Sequence, residues 1–252
     1  MLNSVCLTIP CLNEEKALRG NLPRLMEYLR TLPALRWDVV VVDNGSNDGT
    51  QSVVREAAKH YREVSLLVQP VRGRGHAIRM AWQASQATIL AYMDADLAVD
   101  LSQLPDLVGP LLNGRADIVY GNRYDTRSSV TRSWSRTCLS RGYRGIARLM
   151  VGEGIQDFQC GFKAIRATCR DDLLNQVRNG QWFFDTELLV LGRARGLRVQ
   201  GIPVSWVDRD ETRVSFTRTI WSDLVLLIRL RRELAALPTL YARSGEKGNN
   251  SN

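Results

Sequence analysis

The sequence predicts an α/β protein in which a mostly parallel sheet is covered by helices on both faces. Short apolar runs typical of buried strands alternate with stretches of helical periodicity through the first half of the chain, as they do in parallel sheets with helical crossovers. The predicted strands are residues 4–9, 38–42, 64–68, 88–93 and 117–120. The predicted helices between them are residues 15–29, 50–61, 76–84 and 104–112.

The second half of the chain is less regular. Its pattern predicts helices at residues 133–150 and 184–195, and a strand at 199–207 that Pro203 interrupts. A further amphipathic helix is predicted at residues 216–234, because apolar residues recur there at helical spacing. These residues are Phe216, Ile220, Leu224, Leu227 and Ile228.

The composition limits the classes of protein to which the chain can belong. Its 252 residues suffice for one substantial core, and 44% hydrophobic with 24% charged residues is typical of a soluble globular protein. A net charge of +8 suits phosphorylated substrates, anionic membranes or nucleic acid, but the chain has no recognisable nucleic-acid module. Five cysteines without a C-x-x-C pair predict reduced thiols in a cytoplasmic protein, and only two histidines argue against a histidine-built metal centre.

Neither a signal peptide nor an apolar run approaching the about 18 residues of a membrane span is visible in the sequence. We therefore expect a protein that does not cross a membrane. The apolar stripe of the helix at 216–234 is compatible either with core packing or, given its arginines and Trp221, with peripheral contact to an anionic lipid surface.

Two carboxylates follow the predicted strand 88–93. Asp94 and Asp96 stand one residue apart, so both can point to the same side of the carboxyl edge, where open α/β sheets bind ligands. Carboxylate oxygens are ligands that Mg²⁺ and Mn²⁺ prefer, and enzymes use such ions to neutralise a diphosphate. The pattern predicts a divalent-cation and diphosphate site.

Other predicted strands also end in polar or glycine-rich residues. The first runs into Asn13 and Glu14, the second into an Asp43-Asn44-Gly45-Ser46 turn, and the third into a glycine motif around Arg74. We expect Asp48 within the second of these turns to be a helix cap. Repeated polar strand ends indicate one nucleotide site rather than a set of unrelated turns.

These motifs resemble, in chain order, those of inverting glycosyltransferases with a GT-A fold. The motifs of the first half are Pro10-x-x-Asn13-Glu14, Val42-Asp43-x-Gly45-Ser46-x-Asp48-Gly49-Thr50, Gly73-Arg74-Gly75-x-Ala77 and Asp94-Ala95-Asp96. Those of the second half are Gly121-Asn-Arg123, Gln156-Asp157-Phe-Gln159-Cys160-Gly161-Phe162-Lys163, Trp182-Phe-Phe-Asp185-Thr-Glu187-Leu188 and Pro203-Val204-x-Trp206. Within that group the chain is similar to the polyprenyl-phosphate sugar synthases, and more to the dolichyl-phosphate glucosyltransferases than to the mannose enzymes.

The resemblance implies a GT-A domain over residues 1–242. Its nucleotide-sugar half would be 1–122, its acceptor half 123–215 and its helical segment 216–242, with a disordered tail at 243–252. The partners implied are a nucleotide-sugar donor and a polyprenyl-phosphate acceptor, and the cofactor is Mg²⁺ or Mn²⁺. The expected location is cytoplasmic, with possible attachment to the cytoplasmic membrane face.

The resemblance also implies roles for individual residues. The donor-binding set is Pro10, Asn13, Glu14, Asp43, Arg74, Asp94, Ala95, Asp96 and Arg213. The metal ligands would be Asp94, Asp96 and Gln159, and the acceptor phosphate would contact Arg123, Arg136 and Ser140. Two positions depart from the family pattern. Leu12 replaces an aromatic residue, and Glu211-Thr212-Arg213 replaces a Gly-Ser-Lys.

The chemistry of the acceptor decides whether the reaction needs a base. A cation with Arg209 or Arg213 would stabilise the leaving diphosphate, and a phosphate monoester, with a second pKa of about 6, is already an anionic nucleophile. We therefore predict displacement with inversion and no obligatory base. A soluble hydroxyl acceptor, such as a nucleoside or an antibiotic precursor, would instead need a base such as Asp157, and a non-catalytic nucleotide-sugar-binding protein is a further alternative.

Four other residues of the motifs have structural interpretations. Asp157 suits either a catalytic role or an ionic one, and Asp185 and Glu187 suit the N-terminal end of a helix. Cys160 has no histidine partner in its motif, which favours packing over nucleophilic catalysis.

Overall fold

The structure is a computed structural model that describes residues 3–131, 134–152, 154–207 and 216–236, without the side chains of 134–141, 143, 216–222 and 236. Its strands are β1 (Ser4–Cys11), β2 (Arg36–Asp43), β3 (Val64–Val68), β4 (Ile89–Met93), β5 (Ile118–Asn122), β6 (Ser129–Thr131), β7 (Phe162–Arg166), β8 (Val199–Pro203) and β9 (Ser205–Val207). Its helices are α1 (Glu15–Arg30), α2 (Thr50–His60), α3 (Arg74–Ala84), α4 (Leu104–Leu112), α5 (Trp134–Val151), α6 (Arg170–Leu174), α7 (Phe184–Ala194) and α8 (Phe216–Ala236).

The described strands form a seven-stranded sheet in the order β3-β2-β1-β4-β7-β5-β8 and a small parallel pair of β6 with β9. Every neighbouring pair of the large sheet is parallel except those that involve β7, which is antiparallel to β4 and β5. The predicted mostly parallel α/β fold is confirmed. The strand predicted at 199–207 is interrupted at Pro203, as expected: β8 ends there, and β9 begins at Ser205 and pairs with β6 in the other sheet.

Alternate strand residues point to opposite faces, and each face has its own core. On β1, Val5, Leu7 and Ile9 face the side covered by α1, α2 and α4. Cys6 faces the other side, where α3, α7 and α8 contribute buried residues. The strands and helices of both halves of the chain therefore build one sandwich.

Helix α8 packs against the protein body along part of its surface. Leu227 and Leu230 are fully buried, and the helix contacts α5 and α7. The core interpretation of its apolar stripe is confirmed for Leu227, whereas Val225 and Ile228 are exposed. Phe216, Ile220 and Trp221 of that prediction have side chains outside those described. Within the described part of the chain, no helix is both long and apolar enough to span a bilayer.

Candidate functional site

The loops that follow β1 and β2 are joined by hydrogen bonds at the carboxyl edge of the sheet. Asn13 has a φ of 59°, its N–H donates to Ser46 Oγ at 2.8 Å, and its Oδ1 accepts from Asn47 N at 2.9 Å. The N–H of Glu14 donates to Thr50 Oγ1 at 2.9 Å. The structure thus brings the predicted donor residues Asn13 and Glu14 against the turn that follows β2. Pro10, the third predicted donor residue of this segment, lies on β1 in register with Val42.

Asp48 has the capping role expected from its turn. Its Oδ1 accepts from Thr50 N at 3.0 Å, and its Oδ2 accepts from Glu15 N at 3.2 Å. One carboxylate therefore ties the first turn of α2 to the first turn of α1. Burial would raise the pKa of Asp48, but its hydrogen bonds with Thr50 and other donors more than offset this and lower the pKa.

Asp43 lies beneath the same turn. Its side chain is fully buried, and its two oxygens accept from Ser46 N at 3.1 Å and from Gln51 Nε2 at 2.6 Å. Asp43 therefore shapes the turn from below. Its direct contact with a base or ribose stays a prediction. Leu12, just before Asn13, is an apolar side chain that is 41% exposed.

Asp94 forms an ion pair with Arg74, the first residue of α3. Arg74 Nη2 lies 2.7 Å from Asp94 Oδ1, and the guanidinium stacks on the rings of Tyr92 and Trp182 at 5.2 and 5.0 Å. The pair is close but poorly aligned, because Arg74 Nε and Nη2, both buried, find no acceptor in hydrogen-bonding geometry among the described residues. Arg74 Nε is thus a buried N–H group without an aligned acceptor next to the carboxyl edge, while Nη2 faces Asp94 at ion-pair distance.

The electrostatics around Arg74 are dominated by the neighbouring carboxylates. Burial would lower its pKa, but Asp94, then Asp185 and more weakly Asp96, more than offset this effect, so its pKa is raised above the ordinary value. Arg74 therefore stays charged at all working pH values. Arg74 lies beside Asp94 at the carboxyl end of β4, and its contact with a donor diphosphate stays a prediction.

Asp96 and Ala95 form the turn after β4. Asp96 Oδ1 accepts from Ala98 N at 3.0 Å, Leu97 has a φ of 50°, and the carbonyl of Ala95 accepts from Asn21 Nδ2 at 2.9 Å. Ala95 is thus held toward α1. The side of the turn that carries Asp94 is closed by Gly161, where a Cβ would collide with Asp94 Oδ2.

Asp157 and Arg123 form a buried pair that holds the loop before β7. Arg123 Nε and Nη2 donate to the two oxygens of Asp157 at 2.7 and 2.8 Å, and the side chains are only 8% and 2% exposed. Burial would raise the pKa of Asp157, but Arg123 more than offsets it and lowers the pKa. The ionic interpretation of Asp157 is favoured over the catalytic one, because a carboxylate with a lowered pKa and two charged hydrogen bonds is a weak base.

The same pair decides what Arg123 can do. Its guanidinium also stacks on Trp206 at 4.8 Å, so the side chain is enclosed between a carboxylate and an aromatic ring. The predicted contact of Arg123 with an acceptor phosphate therefore stays a prediction, and the observed role of the residue is to support the loop.

Gln159 lies between two carboxylates. Its N–H donates to Asp157 Oδ1 at 3.3 Å, and its side-chain Nε2 donates to Asp223 Oδ2 at 3.0 Å. Asp223 comes from α8 and is 2% exposed. Burial raises the pKa of Asp223 to about 7, although the hydrogen bond from Gln159 lowers it.

The side-chain oxygen atoms predicted to bind a metal are of the type that divalent cations prefer. The carboxylates of Asp94 and Asp96 and the carboxamide of Gln159 are hard ligands of the kind that Mg²⁺ and Mn²⁺ take. No group of three His, Cys, Asp or Glu side chains suited to a metal occurs in the described part of the chain. An amide oxygen and the phosphates of a substrate would have to complete the coordination, as is usual for Mg²⁺.

A buried polar cluster lies under the site. Lys163 of β7 is fully buried and donates to Cys160 O at 2.6 Å and to Asp185 Oδ1 at 2.9 Å, while the Tyr92 hydroxyl also hydrogen-bonds Asp185. Burial raises the pKa of Asp185 and lowers that of Lys163. Asp185 lies in the first turn of α7, as expected, but it also anchors the loop through Lys163.

Cys160 and Glu187 are structural. Cys160 is fully buried, and burial raises the pKa of its thiol to about 12, which confirms packing over nucleophilic catalysis. Glu187, in the first turn of α7, accepts from the N–H groups of Arg178 and Asn179 at 2.7 Å each and pairs with Arg229 of α8. This carboxylate therefore joins α7 to α8.

Some predicted residues cannot be placed. Arg209 and Arg213 lie outside the described residues, and so do the side chains of Arg136 and Ser140 on α5. Asp223 was missed by the sequence reasoning, although a signal existed. It stands four residues before Leu227, on the apolar stripe of α8, where a buried acid is unusual.

The fold and the candidate site together define a class: an α/β protein whose polar motif residues lie in the loops at the carboxyl ends of β1, β2 and β4, the edge at which open α/β sheets bind ligands. The sequence model described as glycosyl transferase family 2 matches residues 6–174, and the chain belongs to this family.

Three curated relatives illustrate the match. Glycosyltransferase AglD of Haloferax volcanii is 31% identical over 246 residues, which cover 95% of this chain and 39% of that protein. A dolichyl-phosphate beta-glucosyltransferase of Trichomonas vaginalis is 33% identical over 235 residues, covering 88% of this chain and 72% of the relative. The human dolichyl-phosphate beta-glucosyltransferase is 30% identical over 247 residues, covering 89% and 74%.

A solved structure shows the same fold. Glucosyl-3-phosphoglycerate synthase from Mycobacterium tuberculosis, in complex with Mn²⁺, uridine diphosphate and phosphoglyceric acid, aligns with a TM-score of 0.65 at 17% identity over 94% of this chain and 80% of that one. This likeness confirms the GT-A-like fold.

The chain spans only 39% of the Haloferax relative, but the family match and the relatives together confirm the expected enzyme class, a hexosyltransferase.

Proposed function

We propose that this protein moves a hexose from a nucleotide sugar, most simply a UDP-hexose, to a polyprenyl phosphate in a metal-dependent, inverting reaction. The observation that carries the proposal is the buried Arg74, whose Nε and Nη2 lack an aligned acceptor among the described residues, beside Asp94 at the strand edge. Such a guanidinium suits a diphosphate, and the adjacent carboxylates suit the cation that accompanies it.

The donor would lie over the loops after β1, β2 and β4. Asn13 and Glu14 fix the outline of the base and ribose subsite through Ser46 and Thr50, while Asp43 supports the turn from below. Mg²⁺ or Mn²⁺, held by Asp94, Asp96 and Gln159, would neutralise the diphosphate. The relatives named dolichyl-phosphate beta-glucosyltransferase and the neighbour solved with Mn²⁺ and uridine diphosphate support this choice of donor and cofactor.

The acceptor is inferred from the state of Asp157. Because Arg123 occupies both oxygens of this carboxylate, the site favours a nucleophile that is already an anion. An oxygen of the acceptor phosphate would attack C1 of the hexose, and the bond from C1 to the diphosphate oxygen would break with its electron pair. The nucleoside diphosphate leaves, and no proton has to be removed from the phosphate dianion.

A lipid acceptor requires contact with a membrane surface. Exposed apolar side chains occur on α5, at Ile146 and Leu149, and on α8, at Val225 and Ile228. We propose that they support peripheral attachment to the cytoplasmic membrane face, helped by the arginines of these helices.

The test is release of nucleoside diphosphate from a panel of UDP- and GDP-sugars, with Mg²⁺ or Mn²⁺ and with or without a short polyprenyl phosphate. The proposal predicts turnover that depends on the lipid phosphate and the cation and is lost in Asp96→Asn. Donor binding without turnover on any lipid phosphate would redirect the acceptor to a soluble hydroxyl compound. A protein that binds no donor would contradict the proposal.

A further inference from the structure

Helix α8 brings a buried carboxylate to the loop that precedes β7. Asp223 is 2% exposed, and its Oδ2 accepts a hydrogen bond from Gln159 Nε2 at 3.0 Å. Leu227 and Leu230, one and two turns further along, are fully buried. The apolar side of α8 thus carries an acid that is directed at Gln159.

The contact is chemically asymmetric. A carboxylate only accepts hydrogen bonds, whereas a carboxamide has a donating nitrogen at one end and an accepting oxygen at the other. Asp223 therefore fixes the nitrogen of Gln159 on the side of α8 and leaves the oxygen on the other side. The backbone of Gln159 is held independently by Asp157, so the side-chain orientation depends on Asp223.

The loop that carries Gln159 borders the candidate cation site. Gly161, two residues further on, lies so close to Asp94 Oδ2 that a Cβ there would collide with it. An oxygen of Gln159 that is turned away from α8 is thus available at an edge that already carries carboxylates. Outer-shell partners that orient a metal ligand typically change metal affinity by about 10–100-fold.

We propose that Asp223 is a positioning residue, which orients the Gln159 carboxamide so that its oxygen serves the cation at the strand edge. This role rests on the proposed function, because the Gln159 oxygen has a cation to bind only if the protein is a metal-dependent transferase. Helix α8 would then do more than pack against the core, because it would set the orientation of a side chain in the loop before β7.

The experiment measures Mn²⁺ binding to the purified full-length protein at pH 8 by electron paramagnetic resonance, with no donor or acceptor present. The variants are Asp223→Ala, Asp223→Asn, Gln159→Ala and the double variant Asp223→Ala with Gln159→Ala. The control is Glu233→Gln, which removes the surface pair of α8 with Arg178 (3.0 Å) without touching Gln159. Thermal unfolding of each variant reports whether α8 stays docked.

The proposal predicts that Asp223→Ala and Gln159→Ala each raise the Mn²⁺ dissociation constant by about tenfold. The double variant should be no worse than Gln159→Ala, because Asp223 then has nothing to orient. An asparagine at position 223 can face either end of the carboxamide, so the Mn²⁺ dissociation constant of Asp223→Asn should lie between those of Asp223→Ala and the unchanged protein. Glu233→Gln should bind Mn²⁺ as the unchanged protein does.

Two results would overturn the role: Mn²⁺ binding by Asp223→Ala equal to that of the unchanged protein, or a further loss when this change is added to Gln159→Ala. A protein that transfers no hexose but shows the predicted binding relations would contradict the proposed function and leave the positioning role standing. An unchanged protein that binds no Mn²⁺, even when UDP is added to supply phosphate oxygens, would overturn both.

Discussion

Arg123 and Asp157 face each other in a bidentate ion pair, with N–O distances of 2.7 and 2.8 Å, beneath the loop that carries Gln159. The pair removes from solvent the carboxylate that a hydroxyl-directed transferase would need as its base. The same ion pair therefore supports the loop and favours an acceptor that needs no base.

Asp157→Asn should destabilise the protein and cost less activity than the loss of a general base would. Removing one charge of a buried pair typically costs about 3–5 kcal/mol, because the other charge is left unpaired. Loss of a general base costs about 10²–10⁴-fold in rate, so we expect a loss of less than about 100-fold per folded molecule. Urea unfolding and initial rates below the unfolding transition measure the two effects.

The pH dependence of stability gives a control for this pair. The pKa of Asp157 is lowered in the folded protein, so its carboxylate adds to the free energy of unfolding. This stabilisation is fully present above the ordinary carboxyl pKa of about 3.9 and is lost as the pH falls through the pKa of the folded state. The unfolding free energy of Asp157→Asn should lack that acid-dependent component. A variant as stable as the unchanged protein but inactive would show that Asp157 is the base.

Gly161→Ala should lower turnover by about 100-fold or more. The added Cβ would collide with Asp94 Oδ2, so either the loop or the carboxylate must move. Misplacement of a reacting group by about 1 Å can cost about 100-fold in rate. The matched control is Gly20→Ala on α1, where a Cβ meets nothing within 4 Å. Equal turnover of the two variants would show that Asp94 is not held at a reacting position.

Leu12→Tyr should tighten nucleotide binding. Leu12 is 41% exposed, and stacking of a base on an aromatic ring at this position would contribute about 1 kcal/mol or more. We expect the dissociation constant of UDP to fall by about fivefold or more in calorimetry. Leu149→Tyr on α5 serves as a control. Unchanged UDP affinity in Leu12→Tyr would place the base elsewhere.

Replacing Leu149 and Val225 by serine should weaken attachment to membranes. The two side chains are 83% and 65% exposed, and burying each in lipid would contribute about 1.5–3 kcal/mol. Co-sedimentation with vesicles that contain anionic lipid should show at least about a tenfold loss of binding, while UDP affinity stays the same. Equal sedimentation of both proteins would argue against this surface.

The sequence predicts most of the fold because the parallel strands are short apolar runs with clear ends. The strand at 64–68 and the helix at 104–112 have the predicted bounds. Strand β7 was missed because its second residue is Lys163, and the partner that makes burial of that lysine tolerable, Asp185, is 22 residues away.

The site was predictable in its motifs but not in its contacts. Spacing brings Asp94 and Asp96 to one turn, but nothing local shows that Arg74 pairs with Asp94 or that Asp43 is enclosed by its own turn. Contacts between distant segments, such as Gln159 with Asp223, depend on how α8 packs. Periodicity gives the buried face of a helix and leaves its partner undetermined.

The most direct test of the account compares two acceptors that differ only in their phosphate. The protein is given the preferred nucleotide sugar, the cation and either a polyprenyl phosphate or the polyprenol of the same length, and the glycosylated lipid is quantified. The account predicts transfer to the phosphate, with inversion at C1, and no transfer to the alcohol. Transfer to the alcohol, or to a soluble hydroxyl compound in the absence of lipid phosphate, would contradict it.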